Sequence, residues 1–96
     1  MPDEHFEWRE QKAARNRRDH GITFEMAREA FHDVFAVMWE DYRHDAQEER
    51  YCMLGIVGNH LLHVSYTFRG ERVRIISARK AEPHERRRYH NENRDA

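Results

Sequence analysis

The chain has 96 residues, of which 36% are charged and 39% hydrophobic, so it has room for one domain with a thin core. Its 17 basic and 18 acidic side chains leave a net charge of −1, which excludes a uniformly basic nucleic-acid binder. One cysteine excludes an internal disulfide framework, and no apolar run approaches the ~20 residues that span a bilayer, so we expect a cytoplasmic protein without a membrane segment.

The charges are distributed unevenly along the chain. Residues 1–49 carry seven basic and 13 acidic side chains, whereas residues 50–96 carry ten basic and five acidic ones. Fifteen of the 17 basic residues are Arg, whose planar guanidinium contacts phosphate groups in a bidentate manner. We therefore expect a polyanion to bind in the C-terminal half.

Hydrophobic periodicity and stop signals predict the elements of the first half. Gly21 ends a segment free of Pro and Gly, and Thr23 is a suitable N-cap for the amphipathic segment that follows it. The predicted order is a strand at residues 6–8, a helix at 9–20, a helix at 24–32, a strand at 34–39 and a loop at 41–49.

The second half predicts a meander of strands and a last helix. Gly58-Asn59 and Arg69-Gly70 mark turns, and Pro83 fits the first turn of a helix. We expect strands at 50–57, 61–68 and 72–78, a helix from 82 to about 89 and a flexible tail at 90–96. Residues 1–96 would then form a single α+β domain of order β-α-α-β-β-β-β-α, an antiparallel meander sheet with helices packed on it.

Alternation divides the last two predicted strands into an apolar and a polar face. A two-residue turn at 69–70 would pair Thr67 with Arg72 and Ser65 with Arg74, and would leave the apolar side chains under the helices. The polar face would carry groups that suit a phosphate, namely His63, Ser65, Thr67, Arg72 and Arg74. An ordinary solvated sheet face is the alternative, and periodicity alone does not decide between the two.

Several chemistries fit the sequence poorly. His60 and His63 alternate to opposite faces of a strand, and there is no CxxC or HExxH, so neither a metal site nor a cofactor is expected. Cys52 lies in mid-strand, where a buried, inert thiol is usual. Glu49 is either a general base or an ion-pair partner of Arg50 or Arg74.

Metal-free RNA cleavage is compatible with the residues present. A ribose 2′-hydroxyl attacks the adjacent phosphate, so the enzyme needs proton transfer and positive charge at the phosphorane. Histidine suits the first task near neutral pH, and arginine suits the second. The run Arg86-Arg87-Arg88 would attract an RNA backbone, or it is a solvated basic helix face.

Segments along almost the whole chain form a recognisable pattern, namely residues 6–8, 12–17, 20–25, 48–50, Gly55, 66–67, 69–70, 72–81, 85–86 and Tyr89. In their order and spacing they resemble the BrnT-type toxins of type II toxin–antitoxin systems. The similarity is sharpest at residues 72–81 and continues to both sides.

The resemblance implies a small ribonuclease of the RelE-like fold, which cleaves RNA to inhibit translation and growth. It further implies neutralisation by a BrnA-type antitoxin whose ribbon-helix-helix part binds operator DNA, in a 2:2 heterotetramer. The toxin itself would reach operator DNA only through that antitoxin.

The site residues that we expect come from the face argument rather than from the resemblance. Arg74 and Arg79 would stabilise phosphate charge, and His63 or Tyr66 would move protons, although strand parity puts Tyr66 on the core face. The RNA backbone would be bound by Arg50, Arg72, Lys80, Arg86 and Arg88. The alternative is a catalytically inactive binding module that sequesters an antitoxin or co-represses its operon.

Overall fold

The computed structural model describes residues 4–42 and 49–94. Within them the chain is α+β, with three α-helices, one short 3-10 helix and five strands. The 3-10 helix is the one addition to the predicted order. The elements are β1 (Phe6–Glu7), α1 (Glu10–His20), α2 (Phe24–Glu29), the 3-10 helix (Ala30–His32), β2 (Val37–Asp41), β3 (Arg50–Val57), β4 (His60–Arg69), β5 (Arg72–Lys80) and α3 (Pro83–Asn93).

The strands form one sheet in the order β1-β5-β4-β3-β2. Strands β2 to β5 are the predicted antiparallel meander. Strand β1 instead lies parallel to β5, with Glu7 opposite Arg74, so the sheet is mixed and the prediction of a purely antiparallel sheet is wrong. This pairing brings the N-terminal segment next to β5, a strand of the basic C-terminal half.

Two predicted boundaries differ from the structure for local reasons. Strand β2 begins at Val37 rather than residue 34, because the Asp33 carboxylate accepts the Phe35 N–H at 2.9 Å and holds a turn. Helix α3 continues to Asn93, whose side chain donates to the Phe35 carbonyl at 3.0 Å, so residues 90–93 of the predicted tail belong to this helix. The rest of that predicted tail beyond residue 94, and most of the predicted loop (residues 43–48), lie outside the described residues.

The predicted register between β4 and β5 is wrong. The turn lies at residues 70–71, where Gly70 takes a φ of 61°, so Thr67 pairs with Arg74 rather than with Arg72. A β-bulge then shifts the pairing by one residue, and His63 faces Arg79. The bulge matters because uninterrupted alternation would have pointed Arg79 to the core face together with Ile75.

Helices cover both faces of the sheet. Helix α2 and the segment before it bury Ile22 and Phe24 against one face, in a cluster with Leu62, Val64 and Ile75. Helix α3 packs on the opposite face through Tyr89, in a second cluster with Val37, Leu54, Leu61 and Ala81. Helix α3 therefore covers one end of the polar face, and only the other end is an open surface.

Asn16 fixes α1 to the free edge of β5. Its buried amide donates to the carbonyls of Ile22 and Ala78, both at 2.8 Å, and its oxygen accepts the Ala78 N–H at 3.0 Å. The side chain thus replaces a strand neighbour where β1 has ended. As a result, the exposed face of α1 stands beside the polar face of the sheet.

Candidate functional site

A cavity of about 210 Å³ opens beside β5 and the start of α1. Thr67 pairs with Arg74 across the sheet, and Arg50 lies beside Thr67 on the other neighbouring strand, so the two arginines flank it on the polar face. Five of the seven residues at the cavity wall are basic. We call it the basic cavity; its wall consists of Arg9, Lys12, Arg50, Arg69, Arg74, Ile75 and Ile76.

The basic cavity carries an excess of positive charge. Among the described residues, no carboxylate lies within ion-pair distance of the guanidinium groups of Arg9, Arg50 or Arg69. Like charges that converge without counter-charges create a positive potential, which a bound anion relieves. The arrangement is therefore suited to a phosphate group, to which arginine donates paired hydrogen bonds.

Arg74 is the member of the cavity wall that a carboxylate holds in place. The Glu7 carboxylate accepts from Arg74 Nε at 2.8 Å and lies 2.7 Å from its Nη2. Arg72, half exposed, lies 4.0 Å from the same carboxylate. Glu7 reaches Arg74 because β1 pairs with β5 at this register. Glu49, the other candidate partner of Arg74, instead accepts the Tyr51 hydroxyl at 2.8 Å.

His63 and Arg79 meet at the other end of the polar face, beneath α3. Arg79 donates two hydrogen bonds to the Glu85 carboxylate, at 2.8 and 3.0 Å, and His63 Nε2 lies 3.8 Å from the same group. His63 is only 6% exposed and its ring packs edge-on against Trp39. The predicted pair is thus brought together, but around a buried carboxylate.

The electrostatics of Glu85 fit an ion pair that holds α3 on the sheet. Burial alone would raise the pKa of Glu85, but hydrogen bonds from Arg79 and from the Glu82 N–H, with His63 nearby, outweigh burial and lower it to about 2. The same hydrogen bonds raise the pKa of Arg79. Both groups therefore remain charged over the physiological range.

The structure separates the remaining predicted site residues. Arg50 and Arg74 line the basic cavity, and Arg72 lies at its edge through Glu7. Tyr66 is 4% exposed within the core, stacked on Tyr51, and burial raises its pKa. The others are exposed at a distance from the cavity wall: Lys80 at the end of β5, Arg86 on α3, and Arg88, whose guanidinium lies 4.1 Å above the Trp39 ring.

Sequence reasoning missed four residues of this site. Arg9, Lys12, Arg69 and Glu7 are absent from the predicted set, and three of them belong to the acidic half of the chain. The spacing of Lys12 and Arg15, three residues apart on one face of α1, was a signal for a basic stripe that Arg9, the N-cap residue, extends. Nothing local indicated which part of the sheet that stripe would face.

One group of described residues has the ligand types and spacing for a metal ion: Glu82, His84 and Glu85. Both Glu85 oxygens already accept hydrogen bonds from Arg79, and one of them also accepts the Glu82 N–H at 2.8 Å. A metal at this position would have to displace a bidentate arginine. The donor set therefore suits its ion pair better than a cation.

A family model described as the ribonuclease toxin, BrnT, of type II toxin–antitoxin systems matches residues 8–85. A search of curated proteins finds no match. In the described part of the chain, no helix has the length and apolar character needed to cross a membrane.

Proposed function

The chain belongs to the BrnT family of ribonuclease toxins of type II toxin–antitoxin systems, and we propose that it cleaves RNA in the basic cavity. The observation that supports this location is the convergence of five basic side chains, three of which have no carboxylate partner among the described residues. The pair of Arg79 with the buried Glu85 offers no comparable anion site, since its charges neutralise each other.

The proposed reaction is attack of a ribose 2′-hydroxyl on the neighbouring phosphate, which forms a P–O2′ bond, breaks the P–O5′ bond and yields a 2′,3′-cyclic phosphate and a 5′-hydroxyl. Water takes the proton of the 2′-hydroxyl and supplies one to the leaving 5′ oxygen. Negative charge accumulates on the non-bridging oxygens, and fixed guanidinium groups stabilise it more than they stabilise the ground state. Arg74 and Arg50, on either side of Thr67, are the groups that we assign to these oxygens. Glu7 is a positioning residue, which holds the guanidinium of Arg74 in one orientation.

We propose that cleavage is independent of a metal ion. In a metal-dependent nuclease, divalent cations stabilise the charge of the attacked phosphate. Here guanidinium groups supply positive charge at the proposed phosphate position. Activity should therefore persist in the presence of a chelator.

Substitution of the cavity arginines tests the location. We expect Arg74→Ala and Arg50→Ala each to lower kcat/KM on an RNA oligonucleotide by about 10²-fold, the usual cost of one donor to a developing oxyanion. Arg87→Ala removes an exposed arginine of α3, a helix that contributes no residue to the cavity wall, and is the matched control, with less than a twofold change. The assay contains EDTA, and circular dichroism confirms that each variant is folded.

Two results would contradict the proposal. Wild-type rates for both cavity variants would exclude the basic cavity as the reaction site. RNA left intact by the wild-type protein at high concentration would favour the alternative, an inactive module that sequesters an antitoxin or co-represses its operon.

We further propose that the partner is a BrnA-type antitoxin, with a ribbon-helix-helix part that binds operator DNA, in a 2:2 complex. A type II family implies a protein antitoxin; the resemblance supports the finer identity, as it supports a RelE-like fold and inhibition of translation. Co-expression with the neighbouring short reading frame, followed by native mass spectrometry, gives the stoichiometry. Growth arrest that the neighbouring frame relieves is the expected phenotype.

A further inference from the structure

A second cavity, of about 240 Å³, continues from the basic cavity along α1. The two cavities share Lys12 and Ile76, so they adjoin each other between the exposed face of α1 and the β5 edge. The wall of the second cavity consists of Lys12, Arg15, Asn16, Asp19, His20, Ile76 and Ser77. We call it the α1 cavity.

The residues of α1 form one stripe along both cavities. Lys12, Arg15 and Asp19 follow the three- and four-residue spacing of a single helix face, and Arg9 is the N-cap residue directly before the helix. Lys12 and Arg15 are separated by roughly 4.5 Å along the helix axis, a step that one nucleotide of an extended strand can bridge. The positive side chains of Lys12 and Arg15 therefore continue from the basic cavity along α1 towards its C-terminal end.

The charge balance of the α1 cavity allows a phosphate near Arg15. Among the described residues, Arg15 has no carboxylate within ion-pair distance. Asp19, the acidic residue on the wall, lies 3.3 Å from Arg18 Nε, a cation outside the wall. His20 is exposed at the far end, where its ring offers a surface for base stacking.

Resting on the proposed function, the geometry points to the α1 cavity as a second nucleotide subsite, which makes single-stranded RNA the substrate class. The phosphate under attack occupies the basic cavity, Arg15 binds the phosphate of an adjoining nucleotide, and Lys12 lies between them. A regular A-form duplex presents paired, stacked bases and a stiff backbone, so it cannot follow a depression bounded by a helix and a sheet edge. An extended single strand can.

The test uses 2′-O-methyl RNA of randomised sequence, which lacks the attacking hydroxyl and so reports binding alone. Affinities are measured by fluorescence anisotropy for a labelled hexamer, and by competition for a dinucleotide with one phosphodiester. The variant is Arg15→Ala, with Arg87→Ala on α3 as the control of equal charge change. Arg50→Ala reports on the basic cavity itself.

We expect Arg15→Ala to weaken hexamer binding by about fivefold, the scale of one lost phosphate contact, and to leave the dinucleotide unchanged. Arg87→Ala should change neither, and Arg50→Ala should weaken both. A duplex of 12 base pairs should bind more weakly than the single-stranded hexamer.

Equal hexamer affinities of Arg15→Ala and the wild type would overturn the subsite, even if Arg50→Ala fails to bind. Tighter binding of the duplex would overturn the single-strand assignment. Failure of the proposed function has a different signature, because Arg50→Ala would then bind both oligomers as well as the wild type does. Thermal unfolding confirms that Arg15→Ala, at an exposed helix position, is folded.

Discussion

Arg74 and Arg79 illustrate how the partner of a side chain decides its role. Both belong to β5 and both point to the polar face. Glu7 holds Arg74 at the wall of a cavity, whereas Glu85 takes both ends of the Arg79 guanidinium beneath α3. The first remains available to a phosphate on its cavity side, and the second forms an ion pair with the buried Glu85.

The Arg79 ion pair predicts a pH dependence of stability. The pKa of Glu85 is about 2 in the folded protein and about 4.3 in an unfolded chain. Its contribution is therefore complete above the unfolded value and is lost as the pH falls towards 2. We expect Glu85→Gln to lower the unfolding free energy by about 3 kcal/mol at pH 7, and by much less at pH 2.5.

Urea unfolding at the two pH values measures this difference. Glu92→Gln is the control, since that carboxylate is 50% exposed on the same helix and pairs only with Arg88 at 2.8 Å in the described part of the chain. It should change stability by less than about 0.5 kcal/mol at either pH. A Glu85→Gln effect that does not depend on pH would contradict the ion-pair explanation.

Arg79→Ala tests whether Arg79 stabilises phosphate charge, as predicted from the sequence, or holds α3 on the sheet through Glu85. We expect a lower melting temperature, because the Glu85 carboxylate would be left buried without its partner. At a temperature where the variant is folded, kcat/KM should remain within about threefold of the wild type. A loss as large as that of Arg74→Ala would restore Arg79 to the catalytic set.

At the scale of elements, two irregularities of β5 organise the site. The bulge turns Arg79 towards α3 and brings Ile76 to the wall shared by the two cavities. Beyond the two-residue β1, Asn16 bonds the β5 edge and keeps α1 beside it. The basic cavity is therefore built where the ladder of the sheet is interrupted.

Removal of the Asn16 amide tests this docking. Asn16→Ala would lose three hydrogen bonds and leave buried backbone groups of Ala78 and Ile22 without partners. We expect a loss of about 3 kcal/mol of unfolding free energy by urea titration. Asn91→Ala, at an exposed position of α3, should change stability by less than about 0.5 kcal/mol. Equal stability of the two variants would show that α1 docks through its apolar contacts alone.

At the scale of the whole molecule, a net charge of −1 conceals a local concentration of cations. Arg9 and Lys12, from the acidic half, join three arginines of the basic half around one cavity. Local potential rather than net charge attracts a polyanion. The fold creates that potential by bringing the N-terminal segment to the far edge of the sheet.

Salt dependence of RNA binding tests this distribution. If about three phosphates are neutralised, an increase from 50 to 200 mM KCl should raise the Kd for the hexamer on the order of tenfold. Anisotropy titrations in KCl give the slope, and Arg50→Ala should reduce it by about 0.7. A Kd independent of salt would be inconsistent with a phosphate-binding cavity.

The sequence by itself determined the elements, their faces and the family. These follow from local patterns: period-two alternation, turn glycines, a helix cap at Thr23, and motif segments in fixed order. The grouping of His63, Thr67 and Arg74 on one face was correct although the register was not, because the pairing is shifted by two residues and an even shift leaves each side chain on its face.

Only the tertiary structure decided which of these groups meet. The parallel pairing of β1 with β5 and the cover of the sheet by α3 depend on hydrogen bonds between segments distant in sequence, and the register and bulge of β4 and β5 depend on how these two strands pair. The ion pairs also depend on the packing, because it leaves Arg9, Arg50 and Arg69 without a carboxylate among the described residues. The location of a site built from such charges is a property of the packing, since Coulomb interactions act through space and not along the chain.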